Sequence, residues 1–271
     1  MSIAPNSVIN GDCLEVMKDI SNESIDMVLC DLPYGTTQNK WDVIIPPELL
    51  WEQYERIIKP NGAIVLFGQD KFTAAMMLSN PKLHRYNIIW DKVLKSGFLN
   101  SKKMPLREHE DIMVFYKSPP PYNPQMTVGE RNHSKGSAVG KQANDIHSNR
   151  SYGNYKLVES TESNLKYPAS IWRFSKPHPS VALHATEKPV DLLRCLIRTY
   201  TNPGALILDN CCGTGSTLIA AKLESRNYIG IDNGVCDKKK SILYYGMPWA
   251  DVAQDRLNAF WEPQIEADAQ A

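Results

Sequence analysis

The segment that most restricts how this chain can fold runs from Leu206 to Thr217. Leu206-Ile207-Leu208-Asp209 reads as a short buried strand ending in an acid. Asn210 to Gly215 reads as a tight glycine-bearing turn, and Ser216 opens a helix through Lys222. Glycines at 213 and 215 let the backbone approach a ligand closely, and the start of the helix offers free N–H groups. The next strand, Tyr228–Ile231, ends at Asp232, 17 residues after Gly215. An acid at that strand tip can grip two ribose hydroxyls. A phosphate-binding P-loop is excluded, because GxxxxGK[ST] needs a lysine that is absent here. The dinucleotide fingerprint GxGxxG is incomplete, because Leu218 holds the third glycine position. S-adenosylmethionine (AdoMet) has a ribose and a zwitterionic tail but no pyrophosphate, and it fits better. The loop alone leaves NAD open.

The rest of the chain agrees with an α/β fold. Met27–Asp31, Ala63–Phe67, Tyr86–Trp90 and Asp111–Tyr116 are short, apolar, turn-bounded strand candidates. Helices are expected at Pro47–Ile58 and Lys71–Leu78, with Asn61-Gly62 as the turn before the second strand. A further amphipathic helix follows Pro189, marked by Val190, Leu193, Leu196, Ile197 and Tyr200, and a last one spans Trp249 to Phe260. Such alternation builds a mostly parallel sheet with helices on both faces. The pattern breaks between Ser118 and Pro168. That stretch holds Pro119-Pro120-Pro121, six Lys or Arg, four Asp or Glu, two His, and tyrosines at 122, 152, 155 and 167. It is too long for an ordinary connection, so it is either a solvated loop or a functional insertion.

The most suggestive chemistry sits at Asp31-Leu32-Pro33-Tyr34-Gly35, directly after a strand. The acid can accept a hydrogen bond from an amino group, and the tyrosine offers a flat face. Together they could hold a planar base carrying an exocyclic amine.

The formal net charge is zero, which by itself speaks against a nucleic-acid partner. The C-terminal residues 251–271 carry five of the acids and one base, so the remainder holds 29 bases against 25 acids. Charge therefore neither establishes nor excludes DNA. No apolar run is long enough to span a bilayer and no signal pattern opens the chain. Six cysteines without CxxC spacing read as reduced core thiols in a cytoplasmic protein.

Taken together, these segments resemble the β class of amino-group DNA methyltransferases, in which the catalytic motif precedes the cofactor motif. Asp31-Leu32-Pro33-Tyr34 resembles that family's Asp-Pro-Pro-Tyr. Asp209 to Thr217 resembles its Asp-Pro-Phe-x-Gly-Ser-Gly-Thr loop, and His184-Ala185-Thr186-Glu187-Lys188-Pro189 its His-Pro-Thr-Gln-Lys-Pro. Asn10-Gly11-Asp12-Cys13 resembles the Gly-Asp-Cys that opens such enzymes, and Lys103 to Glu110 a further stretch near the active site. Leu32 departs from the first proline, at a position whose backbone carbonyl does the binding. Asn210 and Cys211 replace Pro-Phe. The stretch Asn233 to Trp249 is longer than the family usually has, and its Asp237-Lys238-Lys239-Lys240 cluster reads as a solvated loop.

The resemblance implies a Rossmann-like AdoMet-dependent methyltransferase fold: α/β, a circularly permuted mixed sheet with helices on both faces, plus an inserted target-recognition region. Residues 1–117 would form the catalytic half, 118–170 the insertion and 171–271 the AdoMet-binding half. The implied activity is site-specific methylation of adenine N6 in double-stranded DNA by base flipping. Cytosine-N4 is the alternative, disfavoured by an acid where that group often has serine. An NAD-linked oxidoreductase and a non-catalytic DNA-binding subunit are the rivals outside this class.

Asp31, Leu32, Pro33 and Tyr34 would be catalytic. Asp232 would hold the ribose, Asp12 and Cys13 the cofactor adenine, and Thr186 and Lys188 the methionine carboxylate, with Ser216 and Thr217 nearby. Asp31, Asp209, Asn210, Gly213, Gly215 and Asn233 complete the cofactor set. Lys103 and Arg107 are either DNA contacts or edge-of-sheet charges. No metal is required, because the sulfonium is already activated. His184 reads as a packing residue. A homodimer and a cognate restriction endonuclease are compatible partners, and no membrane is.

Overall fold

The computed structural model describes residues 3–39, 41–129, 146–149, 153–156, 164–177, 182–184, 186–236 and 243–259. The Asp237–Lys240 cluster, Ala185, Tyr152 and Phe260 lie outside them. In chain order the elements are β1 Ser7–Asn10, α1 Cys13–Met17, β2 Ile25–Cys30, α2 Pro47–Ile57, β3 Ile58–Gly68, α3 Asp70–Ser79, β4 His84–Ser96 and β5 Arg107–Phe115. Then come the short strands β6 Thr127–Val128, β7 Ile146–Asn149, β8 Gly153–Lys156, β9 Leu165–Lys166 and β10 Ile171–Arg173. The chain closes with α4 Val190–Tyr200, β11 Leu206–Asp209, α5 Ser216–Leu223, β12 Asn227–Asp232 and α6 Trp249–Ala259.

Eight strands form one sheet in the order β1-β12-β11-β2-β3-β5-β4-β10. Every neighbouring pair is parallel except those made by β5, which runs antiparallel to both β3 and β4. Strand alternation sorts the core into two layers. Met27, Leu29, Ala63, Val65, Phe67, Ile112, Val114 and Ile207 face the layer of α4, α5 and α6. Val28, Cys30, Ile64, Leu66, Met113, Phe115 and Leu208 face the layer of α1, α2 and α3. This is the mixed sheet with helices on both faces that the sequence pattern led to.

Several boundaries differ from the sequence reading. Asn61-Gly62 lies within β3 rather than ahead of it, because the β2–β3 register jumps from Ile25↔Ile58 to Met27↔Ala63 and the extra residues form a bulge. Strands β4 and β5 run well past their apolar cores on the side of Ser96 and Arg107, where the residues are polar and give no burial signal. β1, α1 and β10 are too short to register as periodic segments.

The chain divides into two compact units, with Pro124–Pro168 forming the smaller one. Its described residues form two antiparallel pairs, β6 with β9 and β7 with β8. Residues just before it belong to the larger unit: Asn123 donates its backbone N–H to the Thr199 carbonyl at 2.8 Å. The six cysteines are unpaired. No helix among the described residues is long and apolar enough to cross a membrane.

Candidate active site

Strands β11 and β2 lie side by side, pairing Ile207 with Met27 and Leu208 with Val28. From β11 the chain proceeds through α5 to β12 on one side. From β2 it proceeds through α2 to β3 on the other. The two connections diverge there, so a crevice opens between the carboxyl ends of these central strands. The glycine loop leaves β11 at Asp209 and the Asp31-Leu32-Pro33-Tyr34 turn leaves β2 at Cys30. Tertiary structure thus brings two segments 178 residues apart in sequence to one crevice.

The β2 end is built from ionised side chains. Lys188, whose side chain is 7% exposed, forms ion pairs with Asp31 Oδ2 and, at 3.4 Å, with Glu110 Oε2. Lys92 Nζ holds the other Glu110 oxygen at 3.2 Å. The Tyr34 hydroxyl donates to Asp31 Oδ1 at 2.8 Å and lies 3.4 Å from Glu110 Oε2. The Tyr34 ring stacks on Phe72, with centroids 4.8 Å apart. The Lys188 ammonium also lies 5.0 Å from the centre of the Phe67 ring.

Burial sets the charges. It pushes the Asp31 carboxyl above the ordinary carboxylate range, and Lys188 only partly offsets this. Glu110 goes the other way, because Lys188 and Lys92 together outweigh its burial. Burial would lower the Lys188 pKa, but the two carboxylates overcome it and raise it, so the ammonium stays charged. Glu110 is therefore the fixed anion of the cluster and Asp31 the carboxylate that takes a proton more readily. The turn itself is tied down by Asp42, which accepts N–H bonds from Gly35 at 2.8 Å, Thr36 at 2.9 Å and Thr37 at 2.7 Å.

The β11 end is built from backbone groups. Gly213 adopts φ 47° and donates its N–H to Asp232 Oδ2 at 2.8 Å, while Gly234 donates to Oδ1 at 2.7 Å. A Cβ on Gly213 would meet no described atom within 4 Å, so the loop has open space beside this residue. Gly215, at φ 78°, is required for a different reason: a Cβ there would stand 2.7 Å from Ala253 of α6. Asp209 is sealed in the core, and burial raises its pKa to about 6 against bonds from Thr217 and the Cys211 N–H. Asn210 is also buried and accepts the Tyr54 hydroxyl at 2.6 Å.

An open, polar-edged loop with an acid at the adjoining strand tip fits the ribose and amino-acid tail of AdoMet. Asp232 stands half-buried there, and its carboxyl is raised by burial.

Glu187 and Lys188 bridge the two ends. Lys188 reaches the β2 cluster, while Glu187 turns toward the glycine loop. Glu187 accepts the Ser216 hydroxyl at 3.1 Å and pairs with Arg256 of α6 at 2.9 Å. His184 is a packing residue by geometry: its ring sits edge-on to Trp41 at 5.0 Å and Trp249 at 5.3 Å, and it bonds the Thr186 hydroxyl at 2.9 Å. Thr186 and Asn233 are exposed. The Asp12 side chain caps α1, accepting from the Leu14 N–H at 2.9 Å, and the half-buried Cys13 follows it. Lys103 and Arg107 are exposed on the β4–β5 hairpin. Part of the long 233–249 stretch is anchored: Cys236 exchanges backbone bonds with Met247 and Gly246, and it packs with Trp249 and Val252.

Sequence reasoning overlooked Lys92, Glu110, Asp42, Phe72 and Glu187 as members of the site. Glu110 lay in a quoted stretch, but nothing in a sequence says that an acid on β5 will face one on β2.

A family model described as DNA methylase matches residues 25–235. Type II methyltransferase M.HinfI of Haemophilus influenzae is 25% identical over 261 residues, covering 84% of this chain and 64% of its own length. M.BglII of Bacillus subtilis is 26% identical over 256 residues, covering 84% and 65%. The chain thus spans just under two thirds of the length of these two. DNA adenine methyltransferase YhdJ of Escherichia coli strain K12 is 25% identical over 241 residues, covering 83% and 78%. Among solved structures, the M1.HpyAVI–SAM complex superposes with a TM-score of 0.57 at 20% identity, covering 92% of this chain and 98% of that one. The cytosine-N4-specific PvuII DNA methyltransferase gives 0.59 at 15% identity, covering 86% and 83%. At these identities the structures speak for the fold.

Proposed function

The chain belongs to the DNA methylase family, and from that premise we propose that it methylates adenine N6 at specific sites in double-stranded DNA, with AdoMet as donor. One observation carries the reading: a half-buried carboxylate, Asp31, paired with the buried Lys188, and a glycine loop backed by Asp232 leave the adjacent ends of β2 and β11.

Adenine N6 is a weak nucleophile whose lone pair is delocalised into the ring, and it is inaccessible inside a duplex. Swinging the base out costs a few kcal/mol. In this reading the Asp31 carboxylate and the Leu32 carbonyl accept the two N6–H groups and turn the nitrogen lone pair toward the methyl donor. Tyr34, held by Phe72 and Asp31, presents its ring edge and remaining face to the base. Asp232 and the Gly213 turn hold the cofactor, with Asp12, Cys13, Asn233, Thr186, Ser216 and Thr217 around them. Bound there, AdoMet supplies an electrophilic methyl group on a sulfonium. Transfer of that methyl would break the sulfonium S–C bond as the N6–C bond forms, leaving a neutral thioether and a positive N6. Asp31 stabilises that charge, and its raised pKa suits it to receive the proton that N6 then loses. Glu110 keeps its charge and holds Lys188 and the Tyr34 hydroxyl in register. Positioning supplies most of the acceleration. The unit Pro124–Pro168 would read the target sequence. The reaction belongs to the cytoplasm, and a homodimer and a cognate restriction endonuclease remain compatible with it.

Calorimetric titration with AdoMet and NAD tests the cofactor half, and binding of NAD alone would overturn it. Mapping modified bases in DNA from cells expressing the protein tests the substrate half and separates N6-methyladenine from N4-methylcytosine. Asp31→Ala should abolish methylation while AdoMet still binds, and undiminished activity would refute the assignment of Asp31.

A further inference from the structure

The hairpin that carries Glu110 continues beyond the active site into an exposed tip. Strands β4 and β5 pair Asp91 with His109 and then Ser96 with Arg107, so residues 92–95 are set against Glu108 alone. The bulge puts Val93 at φ 64°, a left-handed conformation that a β-branched residue adopts only under strain. It turns Lys92 inward onto Glu110 and leaves Leu94 and Lys95 outward.

Past Ser96 the tip is ordered by its own backbone. A 3-10 turn spans Phe98–Asn100. The Asn100 N–H donates to Gly97 O at 2.9 Å, and the N–H groups of Lys103 and Met104 donate to Asn100 O at 2.8 and 3.0 Å. The turn holds two large apolar side chains in water: Phe98 is 78% exposed and Leu99 98%. An isolated exposed apolar residue needs no explanation, but an aromatic and a leucine side by side on a fixed turn do. Lys95, Lys102, Lys103 and Arg107 flank them in the chain, and Glu108, which pairs with Lys95 at 3.7 Å, is the one acid between residues 92 and 109. Arg107 lies three strand residues from Glu110, about 10 Å at ~3.3 Å per residue.

We propose that Phe98 and Leu99 form a wedge that enters the DNA duplex beside the target base, with the surrounding lysines and Arg107 on the phosphates. Apolar side chains that insert between base steps offset the loss of stacking when a base leaves the helix. The basic surround matches a polyanion, and the tip stands on the strand pair that ends in the site's own carboxylate cluster. The inference rests on the proposed DNA methylation.

The test uses the full chain and the double variant Phe98→Ala/Leu99→Ala, on duplexes carrying the site mapped for the wild type. Both residues are exposed, so the melting temperature and AdoMet affinity should match the wild type. Methylation of a fully paired duplex should fall tenfold or more. A duplex with the target base mismatched should recover most of that loss, because the base is already partly free. Wild-type rates on paired DNA would overturn the wedge. So would an equal loss on paired and mismatched DNA, or a wild-type dimer that the variant reduces to a monomer, which would assign the tip to a second copy of this chain. A wild type that methylates no base would instead overturn the proposed function.

Discussion

The carboxyl ends of β2 and β11 are neighbours in one sheet and each carries an acid, yet they are stabilised in opposite ways. At β2 the carboxylates Asp31 and Glu110 are balanced by the cations Lys188 and Lys92. At β11 no cation among the described residues pairs with Asp209. It is kept by hydrogen bonds in a site that favours its neutral form. The β2 end therefore holds paired charges, while the β11 end leads into a backbone scaffold in which Gly213 and Gly234 bond Asp232. Adjacent positions in a fold do not imply adjacent roles.

Removing the cation from one end and the charge from the other should move stability in opposite directions. Lys188→Met removes a buried ammonium and leaves two half-buried carboxylates with a single cation, and urea unfolding should show a loss of about 3 kcal/mol. A loss below 1 kcal/mol would mean that the β2 charges are solvated and the contrast is false. Asp209→Asn tests the other end. The folded-state pKa of about 6 lies above the unfolded value of about 3.9. The stability contribution is therefore complete below about pH 4 and is lost as pH rises through 6, by about 3 kcal/mol. Between pH 4 and 8 the wild type should lose this stability and the Asn variant should not. Parallel profiles would break the comparison.

Three smaller effects sharpen it. Gly215→Ala drives a Cβ into Ala253 at a left-handed residue and should cost about 2–3 kcal/mol. Gly213→Ala meets open space and should cost about 1 kcal/mol but weaken AdoMet binding, as calorimetry would read. Tyr54→Phe strips the buried Asn210 oxygen of its donor and should lower stability by about 1–2 kcal/mol, with melting temperature as the measure.

The chain shows its repeating elements openly and its charge pairs not at all. The strand ending at Asp209, the glycine turn and the acid at Asp232 are local, and local spacing is what periodicity and turn chemistry encode. Gly215 was legible as a required glycine, but its reason was not, because Ala253 arrives from a helix 38 residues later. Lys188 was legible as a site residue, yet its partners Asp31 and Glu110 come from two other strands. Lys92 carried no sequence signal, since a lysine on an edge-leaning strand looks like a surface charge until burial is known, and Glu187 stood in a quoted segment with nothing to show that it would meet Arg256 and Ser216.

The sequence by itself determined the α/β alternation, the order of the two half-sites along the chain and the residue types at each strand tip, because these depend on hydrophobic period and turn geometry within a few residues. Only the tertiary structure decided that the two tips share one crevice, that Lys188 stands between Asp31 and Glu110, and that Phe98 and Leu99 stay in water. Those depend on strand order and on which groups lose their solvent, and desolvation is a property of the packed molecule rather than of any segment.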